Sequence, residues 1–215
     1  RVNTYTYNAL GLVETIDGPR TDISDVTTYT YDAQGRVATV TNPLGHVTTI
    51  PSYNDRAQPL EVIDTNGVTT SFSYHPRGWV LSSILEDPTG NTANDLTTLY
   101  TYSASGNVTS ITMPNGEVMN FEYDTSGRLV AMENANGERM EYTLDLAGNR
   151  TGETIKSDSG EIRKTLTRVF DELSRVKEIY SATRLVARYQ YDKNGNVEQV
   201  EDGRSYTTDQ LFDDL

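Results

Sequence analysis

The chain of 215 residues carries 18 Lys and Arg against 31 Asp and Glu, a formal net charge of −13, with 35% hydrophobic residues, 16 Gly and no Cys. That acidity argues against diffuse phosphate-backbone or anionic-membrane binding, and the lack of Cys excludes disulfides and thiol chemistry. No uninterrupted apolar run exceeds the four residues 129–132, too short for a transmembrane span or a signal-peptide core.

Thirty Thr and 14 Tyr against 4 Phe and 1 Trp favour half-buried strands joined by turns. The predicted elements follow one repeating unit. Along the chain, a first strand ends on an anchor followed by a turn residue at Tyr7-Asn8, Tyr31-Asp32, Tyr53-Asn54, Tyr74-His75, Tyr102-Ser103, Tyr123-Asp124, Leu144-Asp145, Phe170-Asp171, Tyr191-Asp192 and Phe212-Asp213. The intervals are 24, 22, 21, 28, 21, 21, 26, 21 and 21 residues, so the base period is 21 and longer intervals hold loop insertions. Four residues past the anchor stands Gly11, Gly35, Gly78, Gly106, Gly127, Gly148 or Gly195, with Ala57 and Ser174 as exceptions.

Each unit reads as two antiparallel strands. Aromatics at the anchor and two residues before it (Tyr29 and Tyr31, Phe121 and Tyr123) share one strand face. The Asx residue after the anchor opens a turn through its own backbone amides, and the glycine supplies positive φ. A second strand follows, as over 36–41 or 107–112, and a second turn closes on Asn42-Pro43-Leu44-Gly45, Asp64-Thr65-Asn66-Gly67, Met113-Pro114-Asn115-Gly116 or Asn134-Ala135-Asn136-Gly137. Apolar residues recur at six and nine past the anchor, an odd separation that demands a bulge or a change of face. Ile162, Leu166, Phe170, Leu173 and Val176 also recur at helical spacing, but Phe170 to Val176 fits the repeat column for column and is assigned to strand and turn, with a short helix as the rival within the insertion.

Tyr31-Asp32-Ala33-Gln34-Gly35-Arg36-Val37, Tyr123-Asp124-Thr125-Ser126-Gly127-Arg128-Leu129 and Tyr191-Asp192-Lys193-Asn194-Gly195-Asn196-Val197 resemble the YD repeat of the Rhs (rearrangement hotspot) family. The pattern runs from Tyr5 to Asp213. The resemblance implies an all-β array of hairpins forming a curved, spiralling antiparallel sheet, part of a β-shell that encloses a C-terminal toxin in bacterial polymorphic toxins and insecticidal toxin complexes. Related repeats occur in the animal teneurins, and the absence of Cys is closer to the bacterial branch. The structural anchors are then Tyr7, Tyr31, Tyr53, Tyr74, Tyr102, Tyr123, Phe170 and Tyr191, with Gly35, Gly106, Gly127 and Gly195 at the turns. Residues 1–215 form one repeat region of about ten units, incomplete at both ends, which reads as part of a longer protein.

Other candidate chemistry fails on inspection. Asp87-Pro88-Thr89-Gly90 echoes the Asp-Pro-x-Gly of the family's self-cleavage region, yet it lies in the 28-residue interval and reads as a turn. His75 occupies a turn slot and His46 reads as a solvated strand residue; with no Cys, no zinc set or Ser-His-Asp set assembles. Acidic pairs such as Glu201-Asp202 match no calcium loop, and Asn107-Val108-Thr109 and Asn149-Arg150-Thr151 are glycosylation sequons that matter only in a eukaryotic source. The expected function is non-catalytic, with no cofactor or metal: a wall segment of a bacterial shell, secreted or envelope-associated, whose partners are the rest of the shell and an enclosed toxin. The alternative is an adhesion or carbohydrate-binding module. Open edges at 1–7 and 206–215 would favour self-association.

Overall fold

The computed structural model describes residues 2–210, so Phe212-Asp213 lies outside the described residues. Nineteen strands are present, and the one helical element among the described residues is a 3-10 turn at Thr92–Asn94, inside the long interval. In order they are β1 (Thr4–Tyr7), β2 (Val13–Asp17), β3 (Val26–Tyr31), β4 (Val37–Thr41), β5 (Val47–Tyr53), β6 (Pro59–Ile63), β7 (Thr69–Tyr74), β8 (Val80–Leu85) and β9 (Leu96–Tyr102). There follow β10 (Val108–Thr112), β11 (Val118–Tyr123), β12 (Leu129–Glu133), β13 (Arg139–Leu144), β14 (Arg150–Lys156), β15 (Ile162–Phe170), β16 (Val176–Ser181), β17 (Arg184–Tyr191), β18 (Val197–Asp202) and β19 (Thr207–Asp209). The segment with helical spacing is β15, a turn and β16, because its anchor and turn residues outrank a local moment.

The chain divides into two compact units, Arg1–Thr101 with Thr112–Asn115, and Tyr102–Ile111 with Gly116–Leu215. In the first, β1 to β9 form a meander in which each strand pairs antiparallel with the next. In the second, β11 to β19 do the same.

The register resolves the odd separation of the apolar columns. Tyr31 faces Val37, Thr30 faces Thr39 and Tyr29 faces Val40, so Ala38 is an extra residue on β4. The same step recurs at Tyr7/Val13, Tyr123/Leu129 and Tyr191/Val197. A one-residue bulge returns the apolar residues at six and nine to the face of the two aromatics. The opposite face carries short polar pairs: Thr6 and Thr15, Thr30 and Thr39, and Ser73 and Ser82 join hydroxyls at 2.6 Å, and Gln190 donates to Gln199 at 2.9 Å.

Little of this is a conventional core. Among the described residues only Ala131 and Ser157 are buried, while the aromatic face is mostly half-buried. Stability therefore comes from strand pairing, half-buried aromatic rows and the turns, with each hairpin leaning on its neighbours. Far-UV circular dichroism of the chain should be β-dominated; helix near a third of residues would contradict this architecture.

Candidate functional site: the turn latch and the tyrosine ladder

The first turn of most units is built by an Asx residue, with His75 and Ser103 in that slot in two others. Asp32 N–H donates to the Arg36 carbonyl (2.8 Å) and Gly35 N–H to the Asp32 carbonyl (3.0 Å), while Asp32 Oδ1 accepts from Gln34 N–H and Arg36 N–H, both at 2.9 Å. Asn8, Asn54, Asp124, Asp171 and Asp192 make the same pair of side-chain bonds. The second turns use the same design, for example at Asn42, Asp64 and Asn134. One local rule thus makes both ends of the hairpin array.

The residue four past the anchor must be left-handed. Gly35, Gly106, Gly127 and Gly195 have φ of 79°, 94°, 77° and 89°, and Ala57 and Ser174 are held at 59° and 60°. A Cβ there costs about 1–2 kcal/mol, against about 0.5–1 kcal/mol of extra chain entropy lost by glycine. Ala57→Gly and Ser174→Gly should each stabilise the chain by about 0.5–1 kcal/mol in urea unfolding, and a loss of stability in both would refute the strain.

Anchor hydroxyls tie successive hairpins together. Tyr31 donates to the Val13 carbonyl (2.6 Å), Tyr53 to Val37 (2.5 Å), Tyr74 to Pro59 (2.7 Å), Tyr123 to Val108 (2.8 Å) and Tyr191 to Val176 (2.7 Å). Each acceptor is the residue six past the preceding anchor. Burial pushes the phenols of Tyr53, Tyr74 and Tyr191 up; for Tyr53 the Asp32 charge adds to this and Arg36 opposes it. Tyr7 is exposed at the end of β1, while Tyr102 and Phe170 are half-buried at the ends of β9 and β15.

The residue five past the anchor completes the latch, and this column escaped the reading of the sequence. Arg36 Nε donates to Asp32 Oδ2 at 2.6 Å, and its guanidinium lies 4.6 Å over the next anchor ring, Tyr53. Arg175 repeats this with Asp171 (2.7 Å) and Tyr191 (4.3 Å). Arg128 pairs with Asp124 at 2.7 Å; its next anchor is Leu144, which offers no ring, and Arg128 donates instead to the Asp145 carbonyl at 2.9 Å. Asn149 and Asn196 bridge to Asp145 and Asp192, each at 2.9 Å. The column mixes Arg, Asn, Gln, Leu and Trp, so no single residue type marks it, although Arg36 and Arg128 stand beside the glycine in two of the three quoted YD motifs.

The remaining candidates are turn parts. His75 Nδ1 accepts from Arg77 N–H at 3.0 Å and its ring stacks on Trp79 at 4.9 Å. His46 is a correction: its carbonyl closes the Asn42 turn ahead of β5, because the Asx turn spans five residues, so it is not a strand residue. Asp87-Pro88-Thr89-Gly90 is a turn, with Gly90 N–H donating to the Asp87 carbonyl at 2.9 Å. The sequon residue Asn149 also donates to Ser174 Oγ at 3.0 Å, so its amide is part of the packing between hairpins. Among the described residues no three His, Cys, Asp or Glu form a metal-binding group, and no helix is long and apolar enough to cross a membrane. A charge cluster centres on Arg139, which meets Glu122 (2.6 Å), Glu141 (3.0 Å) and Glu133 (3.4 Å), with Lys156 on Glu141 at 2.7 Å. Arg139 holds the Glu122 carboxyl below its ordinary value, and Lys156 followed by Arg139 does so for Glu141.

These features define a class of all-β hairpin repeats, in which at five places the anchor tyrosine of one unit bonds back to the unit before it. Residues 20–47 match the family described as RHS Repeat, and residues 57–145 the family described as Teneurin YD-shell. The fold is similar to the crystal structure of TcdB2-TccC3-TEV, with a TM-score of 0.63 and 20% identity over 93% of this chain and 12% of that one. The crystal structure of TcdB2-TccC3 also matches, with a TM-score of 0.47 and 16% identity over 93% of this chain and 14% of that one. No curated protein matches at the level of sequence. Residues 20–47 and 57–145 thus match families of structural repeats, and the all-β fold agrees with that of the TcdB2-TccC3-TEV structure.

Proposed function

We propose that this segment forms part of the wall of a bacterial shell, secreted or attached to the cell envelope, that encloses a toxin or effector polypeptide until delivery. The observation that carries the reading is the ladder itself: the hydroxyls of Tyr31, Tyr53, Tyr74, Tyr123 and Tyr191 each bond a carbonyl of the preceding hairpin. Such a design supports an extended single-layer wall and leaves the rings engaged in packing rather than in a glycan platform. The chain spans 12% of the length of the TcdB2-TccC3-TEV chain, so containment is a property proposed for the whole protein. The mechanism is steric: a wall of paired strands keeps proteases and target proteins from a polypeptide held inside.

The test uses the full-length product of the reading frame that contains this segment. Electron microscopy should show a hollow particle, and limited proteolysis should spare a polypeptide that becomes cleavable once the wall is opened by mild denaturant. A filled or fibrous particle, or equal cleavage before and after opening, would overturn containment.

A further inference from the structure

Three of the four methionines share one hollow. Met119 of β11, Met132 of β12 and Met140 of β13 line a space of about 220 Å³ together with Ile155 of β14. The strand register explains the grouping. Met132 faces Met140 directly and Phe121 on its other side, and Met119 stands two residues before Phe121 on the same strand face. Tyr142, two residues beyond Met140, shares that face too. Its hydroxyl donates to Met140 Sδ at 2.9 Å and lies 3.8 Å from Met132 Sδ, so two thioether sulfurs surround a single phenol.

We infer that this hollow is a soft-metal site, in which the thioethers of Met119, Met132 and Met140 ligate a monovalent copper or silver ion. Thioethers are soft, neutral donors that select Cu(I), whereas zinc and divalent copper are held better by imidazole, thiolate or carboxylate. A thioether sulfur has two lone pairs, so the bond from Tyr142 leaves one for a metal. The chain has no Cys, and His46 and His75 belong to the other compact unit. The charged residues that border the hollow are already engaged. Glu133 and Arg139 face each other across the strands next to Met132 and Met140, so they project to the polar face, where Arg139 also meets Glu122 and Glu141. Asn134 and Glu138 bond each other at 2.9 Å in the turn between β12 and β13. The Arg150 guanidinium rests on the Tyr142 ring at 3.7 Å, and Lys156 pairs with Glu141. With these cations placed and −13 on the whole chain, the field does not oppose entry of a single positive charge.

The repeat itself sets these methionines apart. Four residues before the anchor, where Met119 and Met140 stand, four other units place Thr27, Thr49, Thr70 and Thr98. Nine residues past the anchor, where Met132 stands, most units place Val or Ile, as at Val40, Val62 and Ile111. Those β-branched residues suit a strand, so the sheet gains nothing from the exchange. Methionine often serves to fill an irregular gap in a packed interior, yet here the space between the three stays open. Three flexible side chains around a hollow can close on an ion without moving a strand. The site does not depend on containment.

The test follows the methionine methyl groups of the chain by nuclear magnetic resonance during titration with silver nitrate in chloride-free buffer. Met113, exposed in a turn, is the internal control. Single Met→Leu variants, which nearly conserve volume, assign the four signals. The expected result is a saturable one-to-one response in which the methyls of Met119, Met132 and Met140 shift together while that of Met113 stays. Cu(I), supplied without oxygen as its acetonitrile complex, should compete for the same three methyls, and zinc sulfate should leave them unmoved. The Met132→Leu/Met140→Leu pair should weaken silver binding many-fold with an unchanged circular dichroism spectrum, whereas Met113→Leu should leave binding intact. Met119→Leu, which keeps both sulfurs beside the Tyr142 hydroxyl, should weaken it several-fold and serves if the pair loses its fold. No saturable response, an equal response at all four methyls or to zinc, or binding that survives these variants overturns the site.

Discussion

Gly127→Val is expected to lower the stability of the second compact unit by about 2 kcal/mol, the cost of forcing a β-branched residue into left-handed backbone. Gly127 has φ of +77°, and its N–H closes the Asp124 turn at 2.9 Å, so the conformation is fixed by hydrogen bonding rather than by loop freedom. A Cβ would also stand 3.3 Å from the Asn107 side-chain nitrogen, which adds a lesser steric cost that the amide can relieve by rotating. The control is Gly127→Asn, because asparagine tolerates this region through its short polar side chain. Urea unfolding should rank wild type above Asn and Asn well above Val. Equal midpoints for Val and wild type would show that the turn does not require positive φ.

Why so much of the hairpin array was legible, and the latch was not, follows from where each signal resides. The Asx turn is local: Asp32 bonds to amides two and four residues away, so Asp and Gly at fixed offsets suffice to mark it. The bulge was half legible. Val37 and Val40 stand an odd distance apart, which demands a correction, but only the register shows Ala38 as the extra residue. The latch is non-local. Arg36 acts on Tyr53, 17 positions on, and Gln58 reaches the Gly78 carbonyl, 20 positions on. Its chemistry changes with each partner, from cation on ring to amide on carbonyl, so residue type carries no constant signature. The half-burial of the tyrosines was legible from the Thr and Tyr bias, but the single hydroxyl bonds that satisfy Tyr31 and Tyr191 on backbone across the hairpin boundary were not, for the same reason.

Acid should unfold the chain, and the transition should begin near pH 4. Nine turn or loop carboxyls are held below their ordinary value, Asp22 among them through its bond from Arg20. For Asp64 the Val68 and Asn66 amides are the cause; for Asp145 and Asp192 the side-chain amides of Asn149 and Asn196 come first. Asp124 and Asp171 are lowered first by the amides of Arg128 and Arg175, Asp202 by that of Arg204, and Asp87 by Thr89. In Asp32 partial burial pulls upward, but the Arg36 amide and guanidinium outweigh it. A carboxyl whose folded value lies below its unfolded value contributes stability above the unfolded value and loses it as pH falls through the folded one. With unfolded aspartate near 3.9, the loss starts at about pH 4 and grows as each turn protonates. The 18 Lys and Arg and 2 His are then no longer offset, and self-repulsion adds to the lost turn bonds. Nature supplies the control within the chain, because Asn8, Asn42, Asn54 and Asn134 accept the same two amides without a titrating group. The triple variant Asp64→Asn, Asp145→Asn and Asp192→Asn should therefore keep its fold at pH 7 and shift the acid midpoint, followed by circular dichroism, to lower pH. An unmoved midpoint would place the acid sensitivity elsewhere, in the Glu122 and Glu141 cluster around Arg139, and would separate the turns from the charges of the polar face.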